Sequence, residues 1–91
     1  MARRTDENQR EIVDALRRAG CSVVDLHELG HAVPDLLVGR QGCNYLLEVK
    51  SLIGRLTGKQ PEWHEAWRGQ AAIVRTVDEA LAAVGVIEKD E

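Results

Sequence analysis

Two apolar segments joined by turn residues do most to limit what this chain can fold into. Asp35-Leu36-Leu37-Val38 is followed by Gly39-Arg40-Gln41-Gly42-Cys43-Asn44, and then by Tyr45-Leu46-Leu47-Glu48-Val49-Lys50. Short runs of this kind read as strands, and the glycines and Asn between them read as their connection. Both are nearly continuous in apolar residues, which predicts a sheet covered on two faces. Register decides what such a hairpin displays, because a slip of one residue turns every side chain to the other face. If Gly39 pairs with Asn44 across a four-residue loop, stepping back along both strands brings Asp35 opposite Glu48. Glu48 and Lys50, two apart, then share that face.

The remaining elements follow from periodicity and punctuation. A helix is expected over 5–19, capped by Thr5, with Asp6 and Glu7 at its positive end and Arg17 and Arg18 at the other. Ile12, Val13, Leu16 and Ala19 form its apolar stripe, and Gly20 stops it. A β-branched strand is expected over 22–26 and a loop over 28–33, closed by Pro34. A connection over 51–56 leads to a second helix that starts between Thr57 and Pro61 and ends before Gly69. Thr57-Gly58-Lys59-Gln60 has the spacing of a capping box, yet Pro61 disfavours helical geometry at Gln60. A strand over 71–74, a helix over 77–84 and a short strand over 85–87 complete the chain. The order α-β-β-β-α-β-α describes an α/β fold, a small mixed sheet flanked by helices.

At 91 residues there is room for one domain, 1–91. A domain this size buries only ~60–65% of its unfolded surface, so a partner subunit would help it. No apolar run approaches the ~20 residues of a membrane span. The start turns acidic at Asp6-Glu7 where a signal peptide would become apolar, so the cytoplasm is expected. Cys21 and Cys43 have neither metal-site nor disulfide spacing and are expected in or near the core. A net charge of −3 argues against a protein that merely coats nucleic acid. The stretch from Arg40 to Arg75 nonetheless carries six basic residues (Arg40, Lys50, Arg55, Lys59, Arg68, Arg75) against Glu48, Glu62 and Glu65.

Two carboxylates and an ammonium are expensive on an otherwise apolar strand pair. Phosphodiester hydrolysis is the chemistry that repays them. Asp35 and Glu48 supply hard oxygen ligands for Mg²⁺ or Mn²⁺, with the Val49 carbonyl available as another, and Lys50 is placed to hold the attacking water and developing charge. For an isolated Glu-x-Lys, a surface ion pair is the ordinary explanation; Pro-Asp ahead of the partner strand makes the combination less common.

Pro34-Asp35 with Glu48-Val49-Lys50 resembles the PD-(D/E)XK nuclease signature. The stretch from Leu56 through Gln60, Trp63, His64 and Trp67 to Gly69, and the ending Val74 to Leu81, resemble its small phage-type VRR-NUC branch. The resemblance spans nearly the whole chain. It implies a restriction-endonuclease-like fold and a metal-dependent DNA endonuclease, similar to Holliday junction resolvases in acting as a homodimer on structured or branched DNA, in a phage or prophage setting. It also implies that Glu11, on the first helix, supports the metal site and that Gln60 orients the lysine or phosphate. On spacing alone Glu11 is equally a solvated helix charge and Gln60 equally a capping side chain. Residues 51–55 are short for the loop that often follows the lysine strand. Arg3, Arg4, Arg10, Arg40, Arg55, Lys59 and Arg68 are candidate DNA backbone contacts. His64 lies one turn after Gln60 and reads as an ordinary polar helix residue; Trp63 and Trp67, one turn apart, are expected in the core or a dimer contact.

Two other readings stand beside this one. A nuclease-like DNA-binding module without catalysis fits the same fold. His27-Glu28-Leu29-Gly30-His31 matches the H-E-x-x-H zinc-protease motif letter for letter, which requires both histidines on one helical face and a third ligand. The preceding strand, Gly30 and Pro34 all oppose a helix there, so His27 and His31 are expected in a loop.

Overall fold

The computed structural model describes residues 2–88. Along it run α1 (Ala2–Arg18), β1 (Ser22–Asp25), a 3₁₀ turn (His27–Leu29), β2 (Leu36–Arg40), β3 (Cys43–Val49), α2 (Gln60–Ala66), β4 (Ala71–Val74) and α3 (Val77–Ala83). The expected order of elements is the one observed. The sheet is mixed, in the order β1-β2-β3-β4, with β1/β2 and β2/β3 antiparallel and β3/β4 parallel. Only the parallel pair needs a crossover, and α2 lies within it.

Gly39 does pair with Asn44, but the loop is shorter than expected. Arg40 pairs with Cys43, so Gln41 and Gly42 alone make the turn. Both have positive φ (50° and 81°), as a two-residue type I′ connection requires. Register depends on the pairing and not on the loop length, so it survives this correction.

One face of the sheet is closed. Ile12 and Leu16 of α1 and Ala80 of α3 meet Leu36, Val38, Leu47, Val49 and Val74 in a single buried cluster. Each fully buried Leu or Ile there contributes about 1.5–3 kcal/mol. Both helices end by folding back on themselves. Gly20 (φ 93°) places the Cys21 N–H on the Leu16 carbonyl, and Gly85 (φ 82°) places Val86 on Leu81. That second cap is why 85–87 is no strand: the chain closes α3 instead of extending.

The opposite face is open, against the expectation of a sheet covered twice. Val24 is 52% exposed and Ile73 38%, with Leu37 and Leu46 half-buried between them. α2 does not cover them, since it buries none of its own residues. Half-buried Trp63 and exposed Trp67, just past the end of the helix, stack on each other (centroids 4.8 Å apart) and neither belongs to the core cluster. Cys21 is buried, whereas Cys43 is exposed beside the hairpin turn.

Helix starts also differ from expectation. Ala2 begins α1, which puts Thr5 inside the helix and not at its cap. The side chains of Arg3, Arg4, Thr5 and Asp6 lie outside the described residues. Gln60 begins α2 despite Pro61, which the first turn tolerates. No described helix is long and apolar enough to cross a membrane.

Candidate active site

Pro34 is fully buried and has no N–H, so regular pairing of β2 starts only at Leu36. Asp35 is left at the strand's mouth. It lies one residue before the last ladder pair, Leu36 with Leu47, its charge acts on Glu48, and its Oδ2 accepts the Val49 N–H at 2.8 Å. That bond fixes the carboxylate at the end of β3. Glu48 is 2% exposed. Its Oε2 takes the Gln60 amide N–H at 3.2 Å and faces Lys50 Nζ at 3.6 Å. Its Oε1 is buried with no hydrogen-bond partner.

Burial first, and the neighbouring Asp35 charge second, push the Glu48 carboxyl up to about 7, with Lys50 opposing the shift. Two carboxylates forced together at the end of one ladder disfavour full ionisation unless a cation joins them. An orphaned carboxylate oxygen beside a second carboxylate fits a hard divalent ion. Mg²⁺ needs only one or two such groups and keeps several waters.

Gln60 is the hub that places Lys50. Its Oε1 accepts from Lys50 Nζ (3.0 Å) and from the Thr57 N–H (2.8 Å), while its amide reaches Glu48. The Thr57–Gln60 contact is half a capping box, so the structural and functional readings of that glutamine coexist in one side chain. His64, one turn on, packs edge-on against Trp63 (5.1 Å), and its Nε2 is buried without a partner. Burial, then Lys50, depress its pKa.

Two supports escaped the sequence reading. Asn8 Nδ2 donates to the carbonyls of Lys50 and Arg75, both at 3.0 Å, and so ties α1 to the ends of β3 and β4. The Arg75 guanidinium donates to the Ser51 and Gly54 carbonyls at 2.6 Å each and secures the turn after Lys50. Asn8 was legible in principle. It lies one turn before Ile12 and two before Leu16, a polar residue on an apolar stripe.

Other expected residues lie elsewhere. Glu11 is exposed on α1, and among the described residues no group of three or more His, Cys, Asp or Glu side chains is arranged to hold a metal. The structure therefore does not bring Glu11 to Asp35 and Glu48. Arg40 sits at the hairpin end of the sheet, donating to the Val84 carbonyl at 3.3 Å. Arg10 lines an open pocket with Asp14 of α1 and Asp25 at the end of β1. Arg55 and Arg68 are exposed. Lys59 and His31 line a cleft of about 370 Å³ whose wall includes Gln60. The His27-to-His31 segment is no zinc helix. His27–Leu29 forms a single 3₁₀ turn, and Gly30, His31 and Ala32 all have positive φ. His27 instead bonds Asp25 through its N–H (2.8 Å) and ring Nδ1 (3.2 Å).

Comparison with protein-family models and with curated proteins gives no match. Among solved structures, one described as a VRR_NUC domain superposes with a TM-score of 0.73 at 22% identity, over 88% of this chain and 92% of that one. The chain thus shares the fold of a VRR_NUC domain, the restriction-endonuclease-like arrangement that its Pro-Asp and Glu-Val-Lys motifs resemble.

Proposed function

We propose that this chain is a divalent-metal-dependent DNA endonuclease that hydrolyses phosphodiester bonds. The observation that carries the reading is the buried Glu48 Oε1, without a partner and beside a second carboxylate. Asp35 and Glu48 would hold Mg²⁺ or Mn²⁺, with the Val49 carbonyl as a further ligand. Bound there, the cation supplies a nucleophilic water at neutral pH and neutralises charge building on phosphorus. Lys50, held by Gln60 and Glu48, presents an ammonium to the attacking water and the developing negative charge. Gln60 keeps that ammonium aimed while leaving it only one amide oxygen to satisfy, so donors remain for the phosphate. The Val49 N–H, donated to Asp35 Oδ2 at 2.8 Å, keeps that carboxylate turned toward the end of β3.

Homodimeric action on branched DNA, in a phage or prophage setting, is the finer part of this reading and rests on the resemblance to the VRR-NUC branch. A DNA-binding module without catalysis has one observation in its favour: no third acidic side chain joins the pair among the described residues. Incubation with nicked, flapped and four-way DNA in Mg²⁺ or Mn²⁺, beside Asp35→Ala and Lys50→Ala, separates the two. Cutting by the unaltered chain that both substitutions abolish supports the enzyme. Salt-sensitive binding with no metal-dependent cutting supports the module.

A further inference from the structure

The most exposed large apolar side chains among the described residues are not on the open sheet face. They are Leu52, at 73%, and Ile53, at 89%, two and three residues after Lys50. Scattered exposed aliphatics need no explanation, but these two share the tip of a turn that the fold takes care to hold. Gly54 N–H closes the turn on the Ser51 carbonyl at 3.2 Å, and Arg75 bonds the carbonyls at both its ends. A Cβ on Gly54 would sit 3.0 Å from Ser51 Oγ, so a larger residue there would have to shift that hydroxyl. Arg75 is itself anchored, because its carbonyl takes Asn8. The tip is therefore a braced apolar projection beside the lysine.

Charge says what it meets. From Val49 to Pro61 the chain has Lys50, Arg55 and Lys59 and no acidic residue. The exposed charges that flank the tip along the chain, Arg55 and Lys59, are basic, and the carboxylates near Lys50 are those of the site itself, so the tip is better matched to a polyanion with an apolar interior than to an ordinary protein surface. Stacked bases behind a phosphate backbone are such a partner, and aliphatic side chains inserted at a base step partly unstack it.

We infer that Leu52 and Ile53 form a wedge that inserts at the base step next to the scissile phosphate. The inference rests on the nuclease reading for its choice of substrate. The wedge favours DNA whose step is already weakened, at a nick, flap or mismatch, because unstacking there costs less. Arg55 and Lys59 engage the backbone on either side, and Lys50 stays at the phosphate while the step opens.

The test uses the full chain with Leu52 and Ile53 both changed to Ser. These are surface positions, so the melting temperature stays near that of the unaltered protein. Binding is followed in EDTA with a duplex carrying 2-aminopurine at successive positions, whose fluorescence rises when the base unstacks. The unaltered chain is expected to raise the signal at one step, and the double variant to lose that rise. With Mg²⁺ or Mn²⁺ added, cutting of the fully paired duplex should fall roughly 10–100-fold, while a substrate with an unpaired step is cut at close to the original rate. An unchanged 2-aminopurine signal in the variant overturns the wedge, as does a change in sedimentation with the signal intact, which would assign the tip to a protein contact. The two readings fail separately. A rise that depends on Leu52 and Ile53 without any cutting keeps the wedge and removes the nuclease; cutting without a rise does the reverse.

Discussion

Successive residues of β3 serve opposite ends. Leu47 and Val49 point into a face closed by α1 and α3 and are essentially unexposed, whereas Glu48 and Lys50 point to the opposite face, which is exposed at Val24 and Ile73 and shielded at Glu48 by polar side chains such as Gln60. On the closed face side chains are fixed by packing. On the open face they are fixed by hydrogen bonds from a few polar residues: Gln60, the Val49 N–H and, through the backbone, Asn8 and Arg75. One strand thus carries its stability and its chemistry on alternate residues. A charge can be buried at the open face only because its partners are built around it, and only up to the one Glu48 oxygen left for something else.

The largest effect expected from this division is on activity more than on stability. Lys50→Ala or Asp35→Ala should reduce cutting by roughly 10²–10³-fold or more, while urea midpoints fall less than they do on truncation of a core side chain. Loss of folding in step with loss of cutting would show that the two faces are not separable. Leu47→Ala should do the opposite. It removes a fully buried side chain and should lower unfolding free energy by about 2–5 kcal/mol, measured by urea denaturation, with the folded fraction still able to bind metal.

The same division explains what could be read from the sequence. Alternation and the Gly39–Asn44 pairing were enough to set Asp35 against Glu48, because register is a property of two neighbouring strands. The loop length was misjudged, yet Gln41 and Gly42 do not enter that arithmetic. Coverage of the open face was not legible, since Leu37, Leu46 and Ile73 are as apolar as residues that are buried. Whether a helix packs over them depends on where α2 leaves the sheet, which is a long-range matter. The exposed position of Glu11 has a related cause. Its neighbour Ile12 faces the core, so an adjacent residue on a helix of 3.6 per turn is swung about 100° away, and Asn8 takes the position toward the strand ends.

A mid-sized effect separates the open face from itself, with and without its cation. Glu48 has its carboxyl raised from 4.5 to about 7 in the folded protein. Protons are then bound more tightly by the folded than by the unfolded chain, so this group's contribution is fully present below about pH 4.5 and is lost as pH rises to about 7. The metal-free protein should accordingly weaken across that window in urea titrations, and Glu48→Gln should flatten the slope. Mg²⁺ or Mn²⁺ at about 100 times its dissociation constant should restore about 2.7 kcal/mol above the window. Glu48→Gln should lose that gain. A metal response that persists in the variant would place the ion elsewhere.

The smallest effect probes the far end of the ladder. Arg40 lies five residues along β2 from Asp35, or ~17 Å at the usual rise per residue, and its guanidinium is engaged by the Val84 carbonyl at the end of α3. Replacing it by Ala removes one charge-assisted hydrogen bond that is only partly buried, so unfolding free energy should fall by about 1 kcal/mol. Cutting should be nearly unchanged, because neither Asp35 nor Lys50 depends on that end. The salt dependence of DNA binding is the sharper readout. If Arg40 only braces α3, the slope of log affinity against log salt stays as it was. If it falls by about 0.9, one phosphate contact has been lost, and the DNA must run the whole length of the hairpin from the carboxylates to the turn. Arg40 alternates in step with Leu36 and Val38 on the α3 side of β2, so such a contact would bring the DNA around the hairpin end and not only across the open face.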